Sequence, residues 1–99
     1  MIHGFLKACT VSPALRVADC AFNTQQTIAA MQRAALDGAQ LAVFPELGLT
    51  GYTCGDLFFQ QPLQRAAAKG LAAVLEASAG LDLVALVGLP VAVDGKLYN

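Results

Sequence analysis

Hydrophobic and polar positions in this chain change period several times, and each change predicts an element. Residues 5–11, Phe5-Leu6-Lys7-Ala8-Cys9-Thr10-Val11, are a short apolar-rich run closed by Ser12-Pro13, which predicts a first strand. The period then lengthens. Ile28, Met31, Ala35 and Leu36 fall at i, i+3, i+7 and i+8, one apolar helical stripe. Asn23 is a suitable N-cap for that helix, with Gln26 three residues on to complete a capping-box-like pair. Gly38 is placed to end it in the left-handed conformation. Two residues later the run 41–44 reads as a second strand. A strand, helix and strand so spaced form a βαβ unit with parallel strands and a right-handed crossover.

The second half repeats the alternation. Pro62 suits the first turn of a helix in which Leu63, Ala67, Leu71, Val74, Leu75 and Ser78 share a stripe. Gly70 inside that helix costs about 1 kcal/mol relative to alanine, which calls for close packing or a bend. Gly80 closes the helix. Residues 83–87 are continuously apolar and predict a strand buried on both faces. Gly88-Leu89-Pro90 interrupts, Val91-Ala92-Val93 resumes, and Asp94-Gly95 signals a hairpin turn into a return strand from Lys96.

The stretch 41–57 organises the rest. Pro45 has no N–H for a sheet ladder, so the second strand ends near Phe44. Glu46 therefore stands just past the C-terminal end of a strand expected to be central, followed by Gly48, Gly51 and Gly55. In open α/β sheets that edge is where ligands bind. The three glycines match neither G-x-G-x-x-G nor a P-loop, so a phosphate cradle is not indicated.

Composition narrows the classes. The chain has 99 residues, 57% hydrophobic and 13% charged, so it holds at most one domain and is richer in apolar residues than an average one. The longest apolar run, 83–93, is shorter than the ~18 residues of a membrane span, and no signal-peptide core is seen. A cytoplasmic location is expected, with no membrane partner. The formal net charge is −1 and the six Lys and Arg are scattered, so nucleic acid is not an expected partner either. Cys9, Cys20 and Cys54 are odd in number and lack CxxC spacing, which predicts neither a disulfide framework nor a metal site. Asp56 is expected to begin a turn or cap a helix, and His3 to be a plain surface residue. A hairpin cut after four residues of its return strand leaves an unpaired edge. Residues 1–99 are accordingly expected to be the N-terminal piece of a longer protein, with Met1 a true start.

Phe44-Pro45-Glu46-Leu47 followed by Leu49-Thr50-Gly51-Tyr52 resembles the first catalytic segment of the nitrilase superfamily of carbon–nitrogen hydrolases. The longer string from Leu49 through Thr53-Cys54-Gly55-Asp56-Leu57-Phe58 is similar to the glutaminase domain that opens glutamine-dependent NAD⁺ synthetases. His3-Gly4-Phe5, Val87-Gly88-Leu89-Pro90 and Leu97-Tyr98-Asn99 resemble that family too. The resemblance implies an α/β fold, the opening βαβαββ part of a nitrilase-type αββα sandwich covering about the first third of the amidase domain.

It also implies a chemistry. These amidases use a Cys nucleophile, a Glu base and a Lys. The Glu takes the thiol proton, the thiolate attacks the amide of glutamine, ammonia leaves, and water resolves the thioester. The Lys stabilises the charge that develops on the carbonyl oxygen. Position 46 matches the family's glutamate, so Glu46 is the expected general base. Tyr52 is a candidate for lining the glutamine pocket, with plain packing as the alternative. The nucleophile and lysine of the family lie farther along than Asn99. Cys54 sits in the loop after Glu46 and Lys96 beside a hairpin turn, and neither is taken as a substitute, so residues 1–99 alone are expected to be inactive.

For the full-length protein the resemblance implies a synthetase domain that uses ATP and Mg²⁺ to amidate deamido-NAD⁺ with the released ammonia. No cofactor is expected in this stretch, and the full-length protein is expected to be a homo-oligomer. Two alternatives stay open on the residues alone: a nitrilase-branch amidase without a synthetase domain, and a small non-catalytic α/β binding module.

Overall fold

The computed structural model describes residues 4–99, so the expectation for His3 lies outside it. Its elements are β1 (Ala8–Thr10), α1 (Cys20–Leu36), β2 (Leu41–Val43), a 3₁₀ turn (Gly55–Phe59), α2 (Gln61–Ser78), β3 (Val84–Leu86), β4 (Val91–Val93) and β5 (Lys96–Tyr98). The expected βαβα order holds, with the 3₁₀ turn added and three short strands at the end. Strands β1, β2 and β3 form a parallel sheet with β2 in the middle, Ala42 lying opposite Cys9 on one side and Ala85 on the other. Glu46 thus follows a central strand, as Pro45 predicts.

Helix α1 begins earlier than its pattern suggests. Asp19 is the N-cap, its carboxylate accepting the Phe22 N–H at 3.0 Å. Asn23 is drawn inside the helix instead, because its side chain has longer-range partners. It is fully buried, accepts the Arg16 N–H at 2.8 Å, and donates to the Arg16 and Leu49 carbonyls at 2.8 and 3.2 Å. The buried stripe is rotated accordingly. Thr24 and Thr27 are buried with Met31 and Ala34, whereas Leu36 is 88% exposed. Thr27 tolerates this site because its hydroxyl donates back to the Asn23 carbonyl. Gly38 (φ +83°) ends the helix as expected, and the Gly38 and Ala39 N–H groups donate to the Ala35 and Ala34 carbonyls in a Schellman pattern.

Pro62 lies in the first turn of α2. Gly70 is explained by close packing: a Cβ there would collide with the Thr24 hydroxyl of α1. That hydroxyl is buried without a hydrogen-bond partner among the described residues. Leu63, Ala67 and Val74 are buried beside Gly70, while Leu71 and Leu75 are exposed.

The core lies on one face of the sheet. Cys9, Val11, Ala42, Phe44, Leu83, Ala85 and Val87 pack with Met31 and Ala34 of α1 and Val74 and Ala77 of α2. Ala8, Thr10, Val84 and Leu86 alternate with them and are exposed. The expectation that 83–87 is buried on both faces is therefore corrected: no second layer covers the other face among the described residues. The hairpin forms as expected, with Val93 paired to Lys96 across Asp94 (φ +51°) and Gly95 (φ +76°). No helix among the described residues is long and apolar enough to cross a membrane.

Candidate active site

The site is built where β2 stops. The Phe44 N–H donates to the Leu86 carbonyl at 2.9 Å, holding the strand end against β3. The chain then closes on itself. Gly48 N–H donates to the Pro45 carbonyl at 3.1 Å, and the Thr50 and Gly51 N–H groups converge on the Leu47 carbonyl at 3.2 and 2.9 Å. The Thr50 hydroxyl donates to the same region, 3.2 Å from the Leu47 and 2.9 Å from the Gly51 carbonyl. Leu47 takes a left-handed conformation, φ +53°, which is unusual for a bulky residue and is sustained only where the surroundings hold it. Residues 47–51 are all buried, Pro45 is half-buried, and Glu46 is exposed. The turn is a packed plug that displays one carboxylate.

Two segments clamp the plug. On one side the Leu49 N–H donates to the Gly88 carbonyl at 3.1 Å, and a Cβ on Gly88 would stand 2.5 Å from the Leu47 nitrogen and 2.9 Å from the Pro45 carbonyl. Only glycine fits there. On the other side the segment before α1 closes in. Ala18 N–H donates to the Thr50 carbonyl at 2.7 Å, Asn23 holds the Leu49 carbonyl, and Gly51 (φ +87°) lies against Val17.

Among the described residues the Glu46 carboxylate has one hydrogen-bond partner: its Oε1 accepts from Asn99 Nδ2 at 2.7 Å. Beside them a cavity of about 230 Å³ is lined by Leu47, Phe58, Phe59, Pro90, Tyr98 and Asn99, with Leu97 completing it. Tyr52 is 67% exposed and does not line that cavity.

Cys54 is buried, and its thiol donates to the Thr50 and Gly51 carbonyls at 3.2 and 3.5 Å, turned into the backbone of the plug. Cys20 is buried in the same cluster, and its thiol pKa is raised by burial first, then by the neighbouring Cys54 and Asp19. A raised pKa works against thiolate formation at Cys20, and the Cys54 thiol is turned into backbone carbonyls, so neither cysteine has the setting of an activated nucleophile. Lys96 is exposed on β5. Asp56 occupies the first turn of the 3₁₀ segment, as its sequence context suggests. Among the described residues no group of three or more His, Cys, Asp or Glu side chains is placed to hold a metal ion.

Sequence reading passes over three residues that build this site. Gly88 carries a usable signal, since a glycine that interrupts a strand pattern marks close backbone approach. Asn23 looks like a cap because its type and position suit one. Asn99 is marked only as the end of the family-like Leu97-Tyr98-Asn99 string, with nothing to link it to Glu46.

A parallel α/β sheet that presents a carboxylate past the C-terminal end of its central strand places it where such sheets bind ligands, and the chain belongs to the carbon–nitrogen hydrolase family, whose model matches residues 7–99. Within that family its sequence is similar to enzymes named glutamine-dependent NAD(+) synthetase. It is 34% identical to the one from Mycobacterium tuberculosis over 98% of this chain and 14% of that protein, and 32% identical to the one from Rattus norvegicus over 78% of this chain and 11% of that protein. A crystal structure of a glutamine-dependent NAD(+) synthetase from Cytophaga hutchinsonii superposes with a TM-score of 0.87, covering 95% of this chain and 16% of that one at 23% identity, and shares its fold. The chain thus spans about one-seventh of the length of these relatives.

Proposed function

We propose that residues 1–99 form the first part of a glutaminase domain in a protein that hydrolyses glutamine and delivers the ammonia to a synthetase domain. The observation that carries this is the display of Glu46 by a buried, doubly clamped turn at the C-terminal edge of the central strand. Similarity along 98% of the chain to glutamine-dependent NAD(+) synthetases supports the choice of glutamine over another amide. In this reading Glu46 is the general base that takes a thiol proton from a cysteine supplied by later residues, and a later lysine steadies the oxyanion. The exposed Tyr52, one residue beyond the plug, contacts the bound glutamine. Ammonia is then used to amidate deamido-NAD⁺, the ligase step, in a domain that binds ATP and Mg²⁺ and to which these residues contribute no ligand. The protein works in the cytoplasm as a homo-oligomer, without nucleic-acid or membrane partners.

The test is Glu46→Gln in the intact protein. The amide keeps the shape but cannot accept the thiol proton, so ammonia release from glutamine should fall by about 10²–10⁴-fold. Synthesis from added free ammonia should persist. Wild-type glutamine hydrolysis by this variant would remove Glu46 from the role.

A further inference from the structure

The contact between Glu46 and Asn99 is the one hydrogen bond between two side chains among the described residues, and it joins positions 53 apart in sequence. We propose that Asn99 is a positioning residue for the base: its amide N–H holds Oε1 of Glu46 and leaves Oε2 as the oxygen that receives the proton. The proposal rests on the reading of Glu46 as general base.

The chemistry of the pair sets the direction of the bond. A carboxylate offers only acceptors, so the face of the Asn99 amide turned to it must be the nitrogen; its oxygen there would set acceptor against acceptor. Such a charge-assisted bond is stronger than a neutral one and fixes the carboxyl rotamer. When the thiol S–H bond breaks, its electron pair stays on sulfur and the proton forms an O–H bond on Glu46. With Oε1 engaged as an acceptor, that proton goes to Oε2, and Oε1 keeps its bond to Asn99 in both protonation states. The base therefore need not turn over between taking and returning the proton.

The backbone places both partners without relying on side-chain flexibility. Glu46 sits on the plug that Gly88 and Asn23 clamp. Asn99 directly follows β5, whose register is fixed by the Asp94-Gly95 turn, with Tyr98 paired to Val91. The hairpin leads out of buried Pro90, two residues past Gly88. Gly88, which shapes the turn below Glu46, and Asn99, which holds its carboxylate, thus belong to one continuous segment. Asn99 also borders the cavity beside Glu46.

The experiment compares Asn99→Ala, Asn99→Asp and Asn99→Gln in the intact protein by steady-state hydrolysis of glutamine, with Glu46→Gln alongside. Asn99→Ala should lower kcat about ten-fold with little change in KM, because the lost bond acts on the base and not on the substrate. Asn99→Asp has the same shape but offers an acceptor, and should be worse than Ala. Asn99→Gln keeps the donor and should recover part of the rate. The melting temperature of all three, measured alongside, should match the parent, since the exchange removes at most one hydrogen bond and buries no new group. Three results would overturn the proposal: wild-type kcat in Ala and Asp variants when Glu46→Gln is inactive, an effect confined to KM, or greater activity with Asp than with Ala. The first leaves the reading of Glu46 standing; full activity of Glu46→Gln overturns both.

Discussion

Two of the turns that use left-handed residues, one in the hairpin and one beside Glu46, are held in opposite ways. Asp94 and Gly95 turn the β4–β5 hairpin in the open, and the conformation suits their own types: both tolerate positive φ, and the pair matches the twist of the strands. Leu47 turns the chain beside Glu46 with a φ of +53° that its type does not favour. Its conformation is imposed from outside, by Gly88 pressed against its nitrogen, by two N–H groups and a hydroxyl converging on its carbonyl, and by burial of every residue from 47 to 51. The first turn is a local property of two residues. The second is a tertiary property of several segments, and it is the one that carries the candidate base.

This contrast is open to test by substitution. The largest effect is expected from Gly88→Ala. The added methyl would meet backbone atoms of the plug at 2.5 and 2.9 Å, and backbone cannot step aside as a flexible side chain can. We expect about 3 kcal/mol of lost stability in urea unfolding. Glutamine hydrolysis should fall by about 100-fold, because an error of roughly 1 Å in placing a catalytic group has that cost. Next comes Asn23→Ala, which removes three hydrogen bonds and leaves the Arg16 N–H and the Leu49 carbonyl without this partner. A loss of about 2–3 kcal/mol is expected by the same measurement. The smallest is Gly95→Ala, about 1 kcal/mol, the cost of a Cβ in the left-handed region of an exposed turn. A Gly95→Ala loss equal to that of Gly88→Ala would erase the distinction between the two turns.

The same contrast explains what could be read from the sequence. Gly38, Pro62, Asp94-Gly95 and the stop at Pro45 act through their own backbone preferences, so the parallel βαβ unit, the hairpin and the position of Glu46 past a central strand were all legible. Tertiary choices were not. Asn23 has the chemistry of a cap, and only the presence of the Arg16 and Leu49 backbone beside it explains why Asp19 takes that task. Leu36 and Leu75 fit an apolar stripe yet lie exposed, while Thr24 is buried because α2 offers Gly70 at the contact. Val84 and Leu86 belong to an apolar run that cannot itself say how many layers cover it. At the site, Glu46 was visible through its motif and Gly88 through its break in a strand pattern, whereas Asn99 stood in a family-like string that says nothing of its contact with Glu46.

The sequence separation across the Glu46 turn has a consequence for biosynthesis. A ribosome extends the chain by about 5–20 residues per second, and residues emerge in order. Residues 45–51 leave it well before Gly88 and Asn99 do. Until those later residues arrive, the Gly88 side of the clamp on Leu47 is missing, and a non-local contact of this span must overcome its loop-closure entropy before it yields any stability. The hairpin turn can form as soon as it emerges. The nascent chain thus carries its Glu46 carboxylate on a half-clamped turn, and that turn is completed only when the segment 88–99 docks late in synthesis.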